Sequence, residues 1–410
     1  MLFLYNIVIR LYGLAIFIAS FFKPKAKQWI EGRKNWQQNS KDKLQPNEKR
    51  IWVHCASVGE FEQGRNLIEA VKEKYPQYRI VLTFFSPSGY ELRNNYQYAD
   101  YVFYLPIDTK TNAAQFIQTV NPALAIFVKY EFWYHYLHML HRQNIPAIII
   151  SAPFRKEQPF FKWYGGLFRK MLQCFTFIFV QDESSKELIK NIVDETKVIV
   201  AGDTRYDRVL SIAANKKQLP LVEHFIGNDP VLIAGSSWQN DEKILFESLS
   251  ALPANYKLII APHEVSQKRI AEVLQFFEGA VLYSSLSLQK NYINDRVLII
   301  DNIGMLSSLY QYGQIAFVGG GFRTGIHNTL EPAVFGLPVI IGPNYKRFIE
   351  ANLLVEKEFC FPVTNAEECK AVLINLSGEE LYYQNIHQAL LAFMKEQAGA
   401  TQKILDLIKL

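Results

Sequence analysis

Residues Phe317 to Pro343 read FVGGGFRTGIHNTLEPAVFGLPVIIGP: an apolar strand, three glycines, a helix signal carrying Asn328 and Glu331, and a second apolar strand. Free N–H groups at a helix start suit a phosphate, and a carboxylate one turn in can hold a ribose hydroxyl. The glycine run alone reads equally well as tight-turn packing, so its neighbours matter. IIAPHE delivers Pro262 and His263 at the end of another strand, and LIIDNIGML delivers Asp301, Gly304, Met305 and Leu306. AGSSW adds the hydroxyls of Ser236 and Ser237 in a third loop of this kind. His263 taken alone is as readily a satisfied structural histidine. Its place directly after a buried strand turns the reading toward a phosphate or base contact.

Outward from this stretch, short apolar runs alternate with amphipathic ones along nearly the whole chain. RIWVHCAS, RIVLTFFS, PALAIFVKY, AIIISA, FTFIFVQD and KVIVAGD precede a polar segment, Asn215 to Pro230, that reads as a linker. VLIAGSS, YKLIIAPHE, RVLIIDN, QIAFVGGG and LPVIIGP follow it. Near-continuous apolar strands separated by helices predict parallel sheets covered on both faces. Two doubly wound halves then leave a cleft between the carboxyl ends of their sheets. The length of 410 residues agrees with two domains. With 49% hydrophobic and 20% charged residues the chain is globular, and its net charge of +5 is mild. No Arg/Lys-rich arm is present, so no nucleic-acid partner is expected. Cys55, Cys174, Cys360 and Cys369 form no CxxC pair and no zinc spacing, so neither a metal nor a cofactor is expected, and the compartment reads as reducing.

The first 22 residues, MLFLYNIVIRLYGLAIFIASFF, are about long enough to span a bilayer and read as a membrane anchor. Lys23, Lys25, Lys27, Arg33 and Lys34 follow, which places the rest of the chain in the cytoplasm. Arg10 complicates a span, since a mid-bilayer arginine costs about 2.5–3.5 kcal/mol on insertion scales. Asn6, Arg10 and Gly13 share one helical face, so the segment could also lie in the interface. A buried first-domain helix is the remaining alternative.

In the first half, HCASVGEFEQGR ends a strand and opens a helix with Glu60 in its first turn. Such an acid can simply complement the helix dipole, or it can serve as a base. PFRKEQPFFKWYGGLFRKML, Pro153 to Leu172, interleaves Arg155, Lys156, Lys162, Arg169 and Lys170 with aromatics. That reads either as a solvated basic face or as a surface for anionic lipid and glycolipid phosphates.

ASVGE, KYEFW, GDTRYD, AGSSW, APHE and HNTLEP, in this order behind an N-terminal anchor, resemble the transferases of 3-deoxy-D-manno-octulosonic acid (Kdo) in lipopolysaccharide synthesis. The resemblance covers essentially the whole chain. It implies an α/β fold of the GT-B glycosyltransferase class: two Rossmann-like domains facing a cleft, at residues 35–215 for the acceptor and 230–395 for the CMP-sugar. The anchor, residues 1–22, precedes them and a C-terminal helix, 396–410, follows. It further implies metal-independent, inverting transfer from CMP-Kdo to the lipid A precursor, lipid IVA, at the cytoplasmic face of the inner membrane. Matched by position, Glu60 is the general base, and Glu131 and Arg205 support the transition state. Pro262, His263, Gly304, Met305, Leu306, Asn328, Thr329, Leu330 and Glu331 match the CMP contacts. The chain departs from the family pattern in GDTRYD, where the family carries Asn at Asp203 and Lys at Arg205. Two other readings are a GT-B transferase or epimerase for another nucleotide sugar, and a membrane-tethered binding module without turnover. A carboxylate base at Glu60 argues against the second.

Overall fold

The computed structural model describes residues 1–410, which divide into two compact units. The first comprises residues 1–208 and 398–410, and the second residues 209–397. The segment Asn215–Pro230 therefore lies inside the second unit. It holds the helix Pro220–Ile226, whose Val222 and Phe225 are core residues, because its apolar spacing is seated on the second sheet.

The first unit is built on seven strands: β1 Arg50–Cys55, β2 Arg79–Phe84, β3 Tyr101–Tyr104, β4 Pro122–Val128, β5 Ala147–Ala152, β6 Phe177–Val180 and β7 Val198–Val200. Their spatial order is β3-β2-β1-β4-β5-β6-β7, paired in parallel throughout. Alternate residues fill two cores. Trp52, Val81, Ala125, Phe127 and Ile149 point to one face, and Ile51, Val53, Leu82, Ile126 and Ile150 to the other. Both faces are buried, which is why the strands read as unbroken apolar runs. The helix Ala400–Leu407 returns to this unit, inserting Ala400, Ile404 and Leu405 into the second of these cores. Asp207 fixes it by accepting from the Gly399 and Thr401 N–H groups at 2.6 Å each.

The N-terminal helix Leu2–Ala19 has a mean hydropathy of 2.0 and is long and apolar enough to cross a membrane. One stripe of it, through Tyr5, Asn6, Ile9 and Gly13, packs on the first unit. The Tyr5 hydroxyl donates to Asp108, Asn6 Oδ1 lies 2.6 Å from His135 Nε2, and Ile9 is buried. Arg10 stays exposed at the edge of that stripe, so the packing face includes Asn6 and Gly13 but not Arg10.

The second unit repeats the plan with β8 Val231–Ser237, β9 Lys257–Pro262, β10 Val281–Leu282, β11 Val297–Ile299, β12 Ile315–Val318, β13 Val339–Ile341 and β14 Cys360–Pro362. The order is β10-β11-β9-β8-β12-β13-β14, again parallel. In each sheet the chain winds outward from one central strand and then returns beside it. The switch points are therefore β1/β4 and β8/β12, and the loops that leave their carboxyl ends diverge to form a crevice.

Candidate functional site

At the first switch point the helix Val58–Lys74 starts directly after β1, with Ser57 as an extended N-cap. Glu60 stands in its first turn, partly exposed, and accepts a hydrogen bond from the Ser57 hydroxyl. After β4 the chain turns through Lys129 at φ +66°, a conformation strained for a non-glycine residue. That turn brings Glu131 back over the end of β1. Glu131 is buried, and its Oε2 accepts from Trp133 Nε1 at 2.7 Å and lies 2.9 Å from His54 Nε2.

Arg205 sits at the start of the helix Thr204–Ala214, tied to the same end of the sheet through Thr204. The Thr204 hydroxyl is 2.8 Å from Ser151 Oγ and donates to the Gln63 carbonyl at 2.5 Å. The Arg205 guanidinium grips Asp203, with Nε and Nη2 at 2.9 and 2.6 Å from Oδ2. Asp203 and Arg205 thus form one ion pair, and the cation is held rather than loose.

Three strand-end residues outside glycine have positive φ: Lys129 after β4, Ser151 in β5 and Ser236 in β8. Such strain clusters where a site imposes its geometry.

In the basic aromatic stretch the structure sorts the side chains. Phe154 and Phe160 are core, stacked edge-on with Phe132, because that face closes the sheet. Arg169 donates to the Phe160 and Lys162 carbonyls at 2.9 and 3.1 Å, so it folds the loop and is not available to a lipid. Arg155, Lys156 and Lys170 are exposed and Lys162 partly so, alongside Trp163, which is 93% exposed, and Tyr164.

The glycine run at the second switch point is a packing device. A Cβ on Gly319 would come within 2.7 Å of Ser237 Cα, and one on Gly321 within 2.6 Å of Gly342 Cα. Its N–H groups are also engaged: Gly319 donates to the Gly235 carbonyl at 2.9 Å and Gly320 to Asp241 Oδ2 at 2.9 Å. Asp241 also accepts from the Trp238 N–H at 2.8 Å, clamping the loops after β8 and β12 together. It is buried, and burial pushes its carboxyl up to about 6.

Ser237 likewise turns inward, its buried hydroxyl donating to Glu242 at 2.8 Å, whereas Ser236 is partly exposed. Pro262 ends β9 buried, and His263 emerges exposed. The His263 N–H donates to the Ser237 carbonyl at 3.0 Å. Its ring stacks against both Trp238 and His327, with centroids at 4.7 and 4.4 Å, and Trp238 Nε1 donates to His327 Nε2 at 3.2 Å. Arg323 covers the other side of Trp238, 4.0 Å from the ring centroid. Burial and the neighbouring His263 push the His327 imidazole down to about 4, so it is neutral beneath the stack at pH 7.

Gly304 takes φ +93°, a turn open to glycine, and leads Met305 and Leu306 into the helix Leu306–Leu309 beside the end of β8. The helix after the glycine run is one turn, Leu330–Ala333, with Thr329 as its cap. Asn328 precedes it rather than riding on it. Asn328 Nδ2 donates to Glu331 Oε1 at 3.0 Å, and Asn328 Oδ1 accepts from the Leu330 N–H at 3.1 Å.

Trp238, Asp241, Arg323, His327 and His54 were not among the sequence candidates. Asp241, three residues after Trp238 at a helix start, carried the capping-box spacing that could have found it. The others are defined by contacts distant in sequence.

Two parallel seven-stranded sheets of this topology define an α/β fold of the GT-B class. The structure is similar to the UDP-GlcNAc 2-epimerase of Neisseria meningitidis bound to UDP-GlcNAc, with a TM-score of 0.62 at 17% identity over 87% of this chain and 98% of that one, a likeness of fold alone. The family model described as 3-deoxy-D-manno-octulosonic-acid transferase (kdotransferase) matches residues 30–208. The 3-deoxy-D-manno-octulosonic acid transferase of Haemophilus influenzae is 29% identical over 96% of this chain and 93% of that protein. The protein of the same name from Aquifex aeolicus is 29% identical over 82% and 88% respectively. Residues 30–208 thus carry the Kdo transferase domain, and the chain as a whole is similar to Kdo transferases.

Proposed function

We propose that the enzyme moves Kdo from CMP-Kdo to the lipid A precursor, lipid IVA, with inversion at the anomeric carbon and Glu60 as general base. The observation that carries this reading is a carboxylate at the carboxyl end of the central strand β1, partly exposed and oriented by Ser57. The acceptor hydroxyl must lose its proton as it attacks from the face opposite CMP, and a positioned carboxylate contributes about 10²–10⁴-fold to such a step. Breaking the anomeric bond places negative charge on the departing phosphate, and Arg205, a cation able to bind it through two N–H groups, supports that charge. Glu131, with Oε2 fixed by two donors, opposes the positive charge that grows on the sugar. Nucleotide binding falls to the second unit, through the loops of Ser236, Pro262–His263, Gly304–Leu306 and Asn328–Glu331. Mass spectrometry of lipid IVA incubated with CMP-Kdo and enzyme tests the activity. An unmodified acceptor, or equal use of a UDP-sugar, would refute it.

Glu331→Ala should weaken CMP binding by about 1–3 kcal/mol, as expected when a hydrogen bond to a charged group is lost. Calorimetry with CMP reads this directly. Unchanged affinity in a folded variant would remove Glu331 from the site.

The enzyme works on the membrane surface, at the cytoplasmic face of the inner membrane. The N-terminal helix lies in the interface there, because its packed stripe through Tyr5, Ile9 and Gly13 binds it lengthwise to the first unit. Its opposite side exposes Phe3, Leu4, Val8, Leu11 and Leu14. Arg155, Lys156, Lys162 and Lys170 add cations, each worth about 1 kcal/mol near an anionic surface and screened by salt. Replacing these four with Gln should weaken sedimentation with anionic vesicles at low salt and leave CMP affinity unchanged. Equal binding of the variant and the wild type would make the patch a solvated surface.

A further inference from the structure

Behind Glu131 runs a buried line of hydrogen-bonded side chains. Trp52 Nε1, which can only donate, gives its proton to Thr83 Oγ1 at 2.8 Å. Thr83 Oγ1 lies 2.9 Å from His54 Nδ1, and His54 Nε2 lies 2.9 Å from Glu131 Oε2. His54 and Thr83 are fully buried, on adjacent positions of β1 and β2 that pair in register. With Thr83 donating onward, His54 accepts at Nδ1 and carries its proton on Nε2, facing the carboxylate. If the Thr83 hydroxyl instead donates to the Val53 carbonyl at 3.4 Å, Nδ1 donates to Thr83, through Oγ1 or through the carbonyl at 3.2 Å. A carboxylate can only accept, so Nε2 is the donor of that pair whichever partner Nδ1 takes. Trp133 supplies the second donor to the same oxygen, 2.7 Å away.

We infer that His54 is a positioning residue for the transfer reaction: its Nε2–H holds the Glu131 carboxylate in one rotamer, with Thr83 and Trp52 setting the imidazole. A merely structural pair buried here would ask nothing of the neighbouring loop. In this fold the acceptor end is a side chain lifted over the strand end by the strained turn at Lys129, at the switch point where ligands bind. A carboxylate left with one donor at this depth would turn toward another partner or take up a proton. This inference rests on the proposed role of Glu131 in supporting the transition state.

The test is steady-state kinetics of the full chain with saturating CMP-Kdo and lipid IVA, set beside CMP affinity. His54→Leu should lower kcat by about 30-fold or more while KM for the donor and CMP affinity stay within about twofold, the signature of an interaction used only in the transition state. His54→Gln, whose amide can still donate toward Glu131, should recover most of that loss. In a Glu131→Gln background His54→Leu should change kcat by less than about threefold, because the two residues act as one unit. Should His54→Leu fail to fold, Thr83→Val decides, since it keeps the volume and removes the partner of Nδ1; a drop of about 3–10-fold in kcat is expected from the loosened ring. Wild-type kcat in Thr83→Val and in a folded His54→Leu would overturn the inference. So would a His54→Leu effect of equal size with and without Glu131. Wild-type kcat in Glu131→Gln alone would have a different meaning, removing the role proposed for Glu131 and with it what His54 positions.

Discussion

Glu60→Gln should bind CMP as the wild type does and turn over about 100-fold or more slowly at saturating substrates, because proton removal alone is lost. The substitution is nearly isosteric. The amide oxygen can still accept from Ser57, so the start of the helix Val58–Lys74 should keep its geometry. A folding defect is therefore a poor explanation for a loss of rate, and near-UV circular dichroism together with CMP calorimetry would establish that. The alternative account of Glu60, an acid placed to suit the helix dipole, predicts a stability change of about 0.3–1 kcal/mol and little effect on rate. The two accounts differ by orders of magnitude in kcat. A variant retaining more than about a tenth of wild-type turnover would leave Glu60 as a capping acid only.

The strands were readable because parallel strands buried on both faces need apolar residues at most positions, and β1, β4, β5 and β9 meet that demand with few polar interruptions. What the sequence could not convey is which polar groups the fold consumes internally. Ser237 looks like a ligand hydroxyl until Glu242, one helical turn into the next element, is seen to take its proton. Arg169 looks like a surface cation until two carbonyls of its own loop close on it. The glycine run reads equally as tight-turn packing or as room for a ligand. The approaching groups are instead Ser237 and Gly342, one on the strand before and one on the strand after in the sheet, and only the pairing of β12 with β8 and β13 brings them there. Arg205 shows the same limit differently. Its guanidinium reads as a free cation until Asp203, two residues earlier, is seen to grip it. Which unit the final helix joins was also hidden, since Ala400, Ile404 and Leu405 would suit any apolar surface, and Asp207 selects this one.

Removing residues 1–22 should lower the melting temperature of the first unit by on the order of 10 °C, with each kcal/mol worth about 2–4 °C for a domain of this size. A free membrane-spanning tether could be cut away without thermal consequence. This helix cannot, because its packed stripe completes the first unit. Asp108 is buried and accepts from three donors: the Tyr5 hydroxyl, and the His135 and Tyr136 N–H groups at 3.0 and 3.1 Å. Burial already pushes its carboxyl up to about 6, so the charge is poorly solvated and depends on those donors. Tyr5 also accepts from the Tyr134 N–H at 3.2 Å, at the start of the helix that follows Glu131 and Trp133. Tyr12 stacks on Phe85 and meets Trp29 edge-on, and Gly13 lies against Ile107. Losing a hydrogen bond to a buried charge costs about 1.5–3 kcal/mol, and uncovering the apolar face that Ile9 fills costs about as much again. Tyr5→Phe isolates the first of these terms, keeping the ring packing while removing the hydroxyl. It should produce roughly half of the truncation's shift, measured in the same detergent for all three proteins. The truncated protein should be the more soluble and the less stable one. A melting temperature unchanged by both alterations would mean that the helix does not dock on the first unit, and the reading of residues 1–22 would return to a spanning anchor.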